Sequence, residues 1–82
     1  MPTVLSIFGL RVVVYPNDHR PAHVHVIGGG CEAVFNLHCP ADPSELRETM
    51  GFPQRELGRI AAALQLRLAS LCQHWSRIHG DF

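Results

Sequence analysis

The chain has 82 residues, seven basic side chains against seven acidic ones, 46% hydrophobic and 17% charged residues. A chain of this size builds one domain with one core, so any site must lie on a face or an edge, and partner binding or self-association is expected. Zero net charge argues against a strongly electrostatic nucleic-acid binder and the apolar content against disorder; no apolar run reaches the roughly 20 residues of a bilayer span.

The opening Met-Pro-Thr-Val-Leu-Ser-Ile-Phe lacks a basic start and alternates like a strand, so neither a signal peptide nor a membrane partner is expected. Residues 3 to 15 read as a β-hairpin. A tight turn on Phe8-Gly9 pairs Ile7 with Leu10 and Leu5 with Val12. Leu5, Ile7, Leu10, Val12 and Val14 then share one face, and Ser6, Arg11, Val13 and Tyr15 the other. The breaker-rich run Pro16 to Pro21 is a turn.

A second hairpin joins Ala22–Ile27 to Cys31–His38 through Gly28-Gly29-Gly30. Val24 and Val26 share a face with Ala33, Phe35 and Leu37. The opposite face carries His23, His25, Glu32, Asn36 and His38. Two registers keep this parity, placing His25 opposite either Glu32 or Val34. Residues 39 to 51 read as a loop with room for a short edge strand around Glu45 to Thr49, and the stretch from Asp42 to Glu48 is acidic.

Pro53 suits the first turn of a helix and Glu56 suits its dipole. Leu57, Ile60, Ala61, Leu64, Leu68, Leu71, Trp75 and Ile78 recur at helical spacing as one stripe. The expected fold is therefore α+β: an antiparallel sheet of four or five strands, from two consecutive hairpins, with one long C-terminal helix on one face. At ~1.5 Å per residue that helix would be about 40 Å long. The odd cysteine count, without an export signal, points to reduced thiols in a cytoplasm. Cys31, Cys39 and Cys72 are expected to fill the core.

Chemistry concentrates between Asn17 and His25. His23 and His25 alternate on one strand face with α-carbons roughly 6.6 Å apart, close enough to converge on one small target. Such a pair suits proton transfer, one ring accepting while the other donates, or metal chelation. His19 and Asp18 could reach the same place, and Arg20 could hold a phosphate bidentately. Arg11 and Tyr15 have the face parity to join, as do Glu32 and Asn36. The plain alternative is a solvated polar strand face. Three histidines within seven residues, followed by three more polar groups on the same face, favour a functional site instead.

A metal would have His23 and His25 with one of His19, Asp18 or Glu32, the cysteines pointing coreward. That set is short for a structural zinc, so no cofactor is expected. Arg55, Arg59 and Arg77 fall opposite the apolar stripe with Leu66 among them. Such a face is ordinarily just solvated; its alternative is a partner-docking surface anchored by Leu66. His74 and His79, near the helix end, read as structural.

The opening Met-Pro-Thr-Val-Leu-Ser-Ile-Phe-Gly-Leu-Arg, the run Asn17-Asp18-His19-Arg20-Pro21-Ala22-His23-Val24-His25-Val26, and Gly51-Phe52, Glu56-Leu57 and Trp75 resemble a family of small bacterial proteins, domain-of-unknown-function family 4160. The family usually has a second proline where Ala22 stands, and a serine cap where Pro53 stands. The resemblance implies a two-gene arrangement with another small protein, similar to a toxin–antitoxin pair, and it marks His19, His23 and His25 as the functional positions.

Three readings follow. One is a metal-independent ribonuclease-like toxin, in which His23 and His25 serve as base and acid and Arg11 or Arg20 stabilises the phosphorane. Another is a non-catalytic binding or regulatory partner of the adjacent gene's product, for which the half-apolar histidine face and the Leu66 surface speak. The last is a small metal-binding protein.

Overall fold

The computed structural model describes residues 3–39 and 44–80. Five strands run in chain order, β1 (Thr3–Ile7), β2 (Leu10–Val13), β3 (His23–Gly28), β4 (Cys31–Asn36) and β5 (Glu45–Met50). They pair in that same order, every neighbour antiparallel. Two helices follow, α1 (Gln54–Leu66) and α2 (Leu68–His79). Asp42 and Asp81, part of the acidic count, lie outside the described residues.

Turn chemistry sets both hairpins. Phe8 and Gly9 have φ of 51° and 76°, Gly29 and Gly30 of 58° and 79°. Two consecutive positive φ values are the signature of the two-residue turn whose twist matches its strands. The first gives Ile7↔Leu10 and Leu5↔Val12, as expected. The second places Gly28 opposite Cys31, which resolves the open register: His25 faces Val34, His23 faces Asn36, and Glu32 lies opposite Ile27.

Strand parity sends Val12, Val14, Val24, Val26, Ala33, Phe35 and Leu37 into one apolar layer, where they meet Ile60, Leu64, Leu68, Leu71 and Trp75. Val24 and Val26 are fully buried. At ~25 cal/mol per Å² of apolar surface removed from water, this layer is the main source of stability.

The expected single helix is instead two. Arg67 leaves helical geometry (φ −115°, ψ 14°), and its N–H reaches only back to the Leu64 carbonyl, a tightened last turn. Unbroken, the helix would run about 40 Å by its rise per residue, against a greatest extent of 33 Å for the folded chain. Breaking at Arg67 keeps Ile60 and Leu64 from α1, and Leu68, Leu71 and Trp75 from α2, all on the sheet. The stripe loses its last member: Ile78 is exposed. Pro53 stands one place before the first turn, as the N-cap.

The reduced-thiol expectation is corrected. Cys39 and Cys72 form a disulfide, S–S 2.05 Å, tying the end of the second hairpin to α2. The cysteine argument for a reducing compartment therefore falls, since disulfides are uncommon there. Cys31 stays free, half-buried against Gly51 rather than inside the core. Gly51 (φ +94°) is required there: a Cβ would stand 2.7 Å from the Cys31 Sγ.

The edge strand, expected as short, is a full strand of six residues, all exposed. Val34 pairs with Glu48 and Phe35 with Leu46, leaving Arg47 as the extra residue of a bulge. Among the described residues no helix is long and apolar enough to cross a membrane.

Candidate functional site

The site forms where the turn after β2 folds back over the start of β3. Asp18 builds that turn: its N–H donates to the Tyr15 carbonyl (3.0 Å) and its Oδ2 accepts the Tyr15 N–H (3.1 Å). The turn ends in a cis Arg20–Pro21 bond, and the Asp18 carboxylate is held over the outer face of β3.

Two rings meet it. His23 Nδ1 donates to the Pro21 carbonyl at 2.8 Å. Its Nε2 stands 3.5 Å from Asp18 Oδ2. His25 lies between two carboxylates, Nδ1 at 3.0 Å from Glu32 Oε2 and Nε2 at 3.3 Å from Asp18. The imidazole centroids are 5.2 Å apart, and the Tyr15 ring meets His25 edge-on at 5.0 Å. One donor atom each from Asp18, His23 and His25 falls within 4.8 Å of the others. Val24, fully buried between the two rings in sequence, is what turns both outward.

His23 departs from the expected exposure. It is only 5% exposed, because side chains of α2 cover it. Trp75 packs against its ring (centroids 5.2 Å), and His79 stacks on Trp75 at 4.0 Å. His79 also donates from Nε2 to the Tyr15 carbonyl, 3.2 Å, pinning α2 to the turn that carries Asp18. His79 is thus structural, as expected, but as a brace of the site rather than a dipole partner.

Asp18, His23 and His25 themselves line an open groove of about 260 Å³. His19 and Arg20 form one wall, Arg47 and Glu48 from β5 the other, with Val34 on the floor. His19 is therefore beside the site, while the third converging group is Asp18. Glu32 and Tyr15, expected to bind substrate, contact His25. Arg11 does not line the groove; its Nε donates to Thr3 Oγ1 (3.1 Å). Asn36 faces His23 across the strands with its Oδ1 buried and unpartnered among the described residues. His38, at φ +52°, turns out of β4 and bonds Glu45 at 2.9 Å, away from the other histidines.

Sequence reasoning missed Arg47, Glu48 and Trp75. For β5 the available signal was the edge-strand assignment itself, whose bulge aims Arg47 at the groove. Trp75 was read as core alone, and its ring serves core and site together. The helix surface also changes. Arg59 lies over the Phe8 ring (4.3 Å) and pairs with Glu56 (3.2 Å), so it also holds the first hairpin. The break at Arg67 places Arg55 and Arg59 on α1 and Arg77 on α2. Leu66 is 86% exposed, as a docking anchor requires.

The chain matches no curated protein and no solved structure. The family model described as "Domain of unknown function (DUF4160)" matches residues 9–76, which take in the turn, both histidines, the whole edge strand, α1 and α2 through Trp75. The chain carrying this Asp18–His23–His25 site therefore belongs to the DUF4160 family.

Proposed function

We propose that the chain is a small hydrolase acting on phosphodiester bonds, the toxin-like half of a two-protein pair, with RNA as its substrate class. One observation carries the reading: His25, held between two carboxylates, opens on a groove whose walls bear Arg20 and Arg47. Guanidinium forks suit phosphate oxygens, and a histidine oriented by a carboxylate is the usual means of activating a hydroxyl or a water. His19 adds a further donor on the same wall.

A direct two-histidine mechanism would need acid and base on opposite sides of the phosphorus. Here both Nε2 atoms face one carboxylate and His23 is buried, so the pair acts from one side of the groove as a unit. Incubating the purified chain with a single-stranded RNA oligonucleotide, in buffer containing divalent cations, tests the reading. His25→Ala is expected to lower kcat at least about 100-fold, the range for losing a positioned histidine. Arg47→Ala is expected to raise KM with a smaller effect on kcat. Absence of cleavage by the wild type, or cleavage undiminished in His25→Ala, removes this function.

A second reading, a non-catalytic binding partner of the adjacent gene's product, is favoured by the open edge of the sheet. All of β5 is exposed, Met50 by 72% and Leu46 by 41%. An unpaired edge strand with apolar side chains is a ready template for another strand, including that of a second copy. Co-expression with the neighbouring gene should yield a complex that Leu46→Pro weakens; a chain that stays monomeric and unaccompanied would exclude this reading.

A further inference from the structure

We propose that Asp18, His23 and His25 form a binding site for one divalent first-row transition-metal ion, with zinc as the defining probe. The site stands on its own coordination geometry; only its use in hydrolysis rests on the function proposed above.

Hydrogen-bond partners orient both rings. A carbonyl oxygen only accepts, so the contact of His23 Nδ1 with Pro21 O puts a hydrogen on Nδ1. A carboxylate does the same to His25 Nδ1 through Glu32. In a neutral ring the remaining nitrogen, Nε2, then carries a lone pair. Both Nε2 atoms nevertheless face the Asp18 carboxylate, at 3.5 and 3.3 Å. Lone pairs turned toward an anion repel it unless positive charge lies between. One divalent ion among the three ligand atoms, which all lie within 4.8 Å of one another, would supply that charge.

Ligand bonds of about 2.0–2.2 Å to zinc in a tetrahedral arrangement place ligand atoms about 3.3–3.5 Å apart. The two nitrogen-to-oxygen separations already have that length. The remaining edge of the triangle is no longer than 4.8 Å.

Metal-binding histidines nearly always donate their other ring N–H to a carbonyl or a carboxylate, which fixes the ring and raises its basicity. Pro21 O and Glu32 fill those two roles. The Tyr15 N–H steadies the Asp18 carboxylate, and Trp75 backs His23. Two histidines and one carboxylate make a set that leaves coordination positions open, as catalytic rather than structural sites do. Those positions face the groove with Arg20 and Arg47.

The test uses full-length protein without a histidine tag, dialysed against chelator and then freed of it. Titration with zinc by calorimetry is expected to show one ion per chain. Cobalt should give the visible absorption of a low-symmetry, nitrogen- and oxygen-ligated ion. Asp18→Asn and His25→Ala should each weaken zinc binding by at least about 100-fold, and Glu32→Ala by about 10- to 100-fold, the span for losing an orienting partner. His38→Ala, on a histidine remote from the cluster, should leave affinity unchanged. Circular dichroism of each variant confirms that it is folded. The proposal is overturned if folded wild type takes up neither ion, if His25→Ala binds as well as wild type, or if His19→Ala loses binding while Asp18→Asn keeps it. Zinc binding without RNA cleavage supports the site and sinks the hydrolytic function alone. RNA cleavage by chelator-treated protein that takes up no ion does the reverse.

Discussion

Replacing Trp75 with alanine is expected to lower stability by about 3–5 kcal/mol, the range for deleting a large buried aromatic. Trp75 is fully buried and touches both the core and the site, its ring packed on His23 and under His79. A domain this small has a total stability on the order of 5–15 kcal/mol, so the variant should sit near its unfolding threshold. Trp75→Phe separates size from ring contact. It keeps an aromatic face on His23 and removes an indole N–H that has no partner among the described residues, so part of its cavity cost is offset by the lost desolvation penalty. Urea denaturation followed by far-ultraviolet circular dichroism checks both. A Trp75→Ala cost below about 1 kcal/mol would mean that the ring does not fill the core. Zinc affinity is expected to survive in Trp75→Phe and to fall in Trp75→Ala under conditions where that variant is folded, because His23 loses its backing.

Removing the cross-link should cost nearly as much. Cys39 and Cys72 are 33 residues apart in sequence, and closing a loop of that length in the unfolded chain corresponds to about 3–4 kcal/mol. The double variant Cys39→Ala/Cys72→Ala is therefore expected to unfold at a markedly lower urea concentration. Reductant should move the wild type to nearly the same midpoint and leave the double variant unmoved. Cys31→Ala should respond to reductant just as wild type does, since its thiol takes no part in the cross-link. Identical midpoints for wild type with and without reductant would show that the two cysteines are not joined.

Both results bear on how the site is held. The disulfide fastens α2 to the end of the second hairpin, and three residues further along α2 stands Trp75. His79, one turn beyond, bonds the carbonyl of Tyr15, whose own N–H holds Asp18. The chain of contacts from cross-link to carboxylate is short. The double cysteine variant should accordingly bind zinc more weakly than wild type even where it remains folded, which the same calorimetry would read.

Local rules were enough for much of this protein. Alternation with a period of two placed Val24 and Val26 inward and His23 and His25 on the other side, because a strand leaves no other choice once one face is buried. The pairs Ile7↔Leu10 and Leu5↔Val12 followed from the Phe8-Gly9 turn, and the helical stripe from Leu57 to Trp75 followed from its spacing. Density of histidine between Asn17 and His25 marked the segment from which Asp18, His23 and His25 converge, since few side chains can serve acid–base or metal chemistry near neutrality. What the tertiary structure alone decided depends on distances between residues far apart in the chain. The helix divides at Arg67, and residues of both halves, Ile60 and Leu64 before it and Leu68, Leu71 and Trp75 after it, lie in one core with the strands. Cys39 meets Cys72, Arg59 meets Phe8, and Trp75 meets His23 only after the helices fold back over the strands. Asp18 rather than His19 completes the cluster because the Asp18 side chain closes its own turn, which aims the carboxylate inward and leaves the neighbouring imidazole on the groove wall.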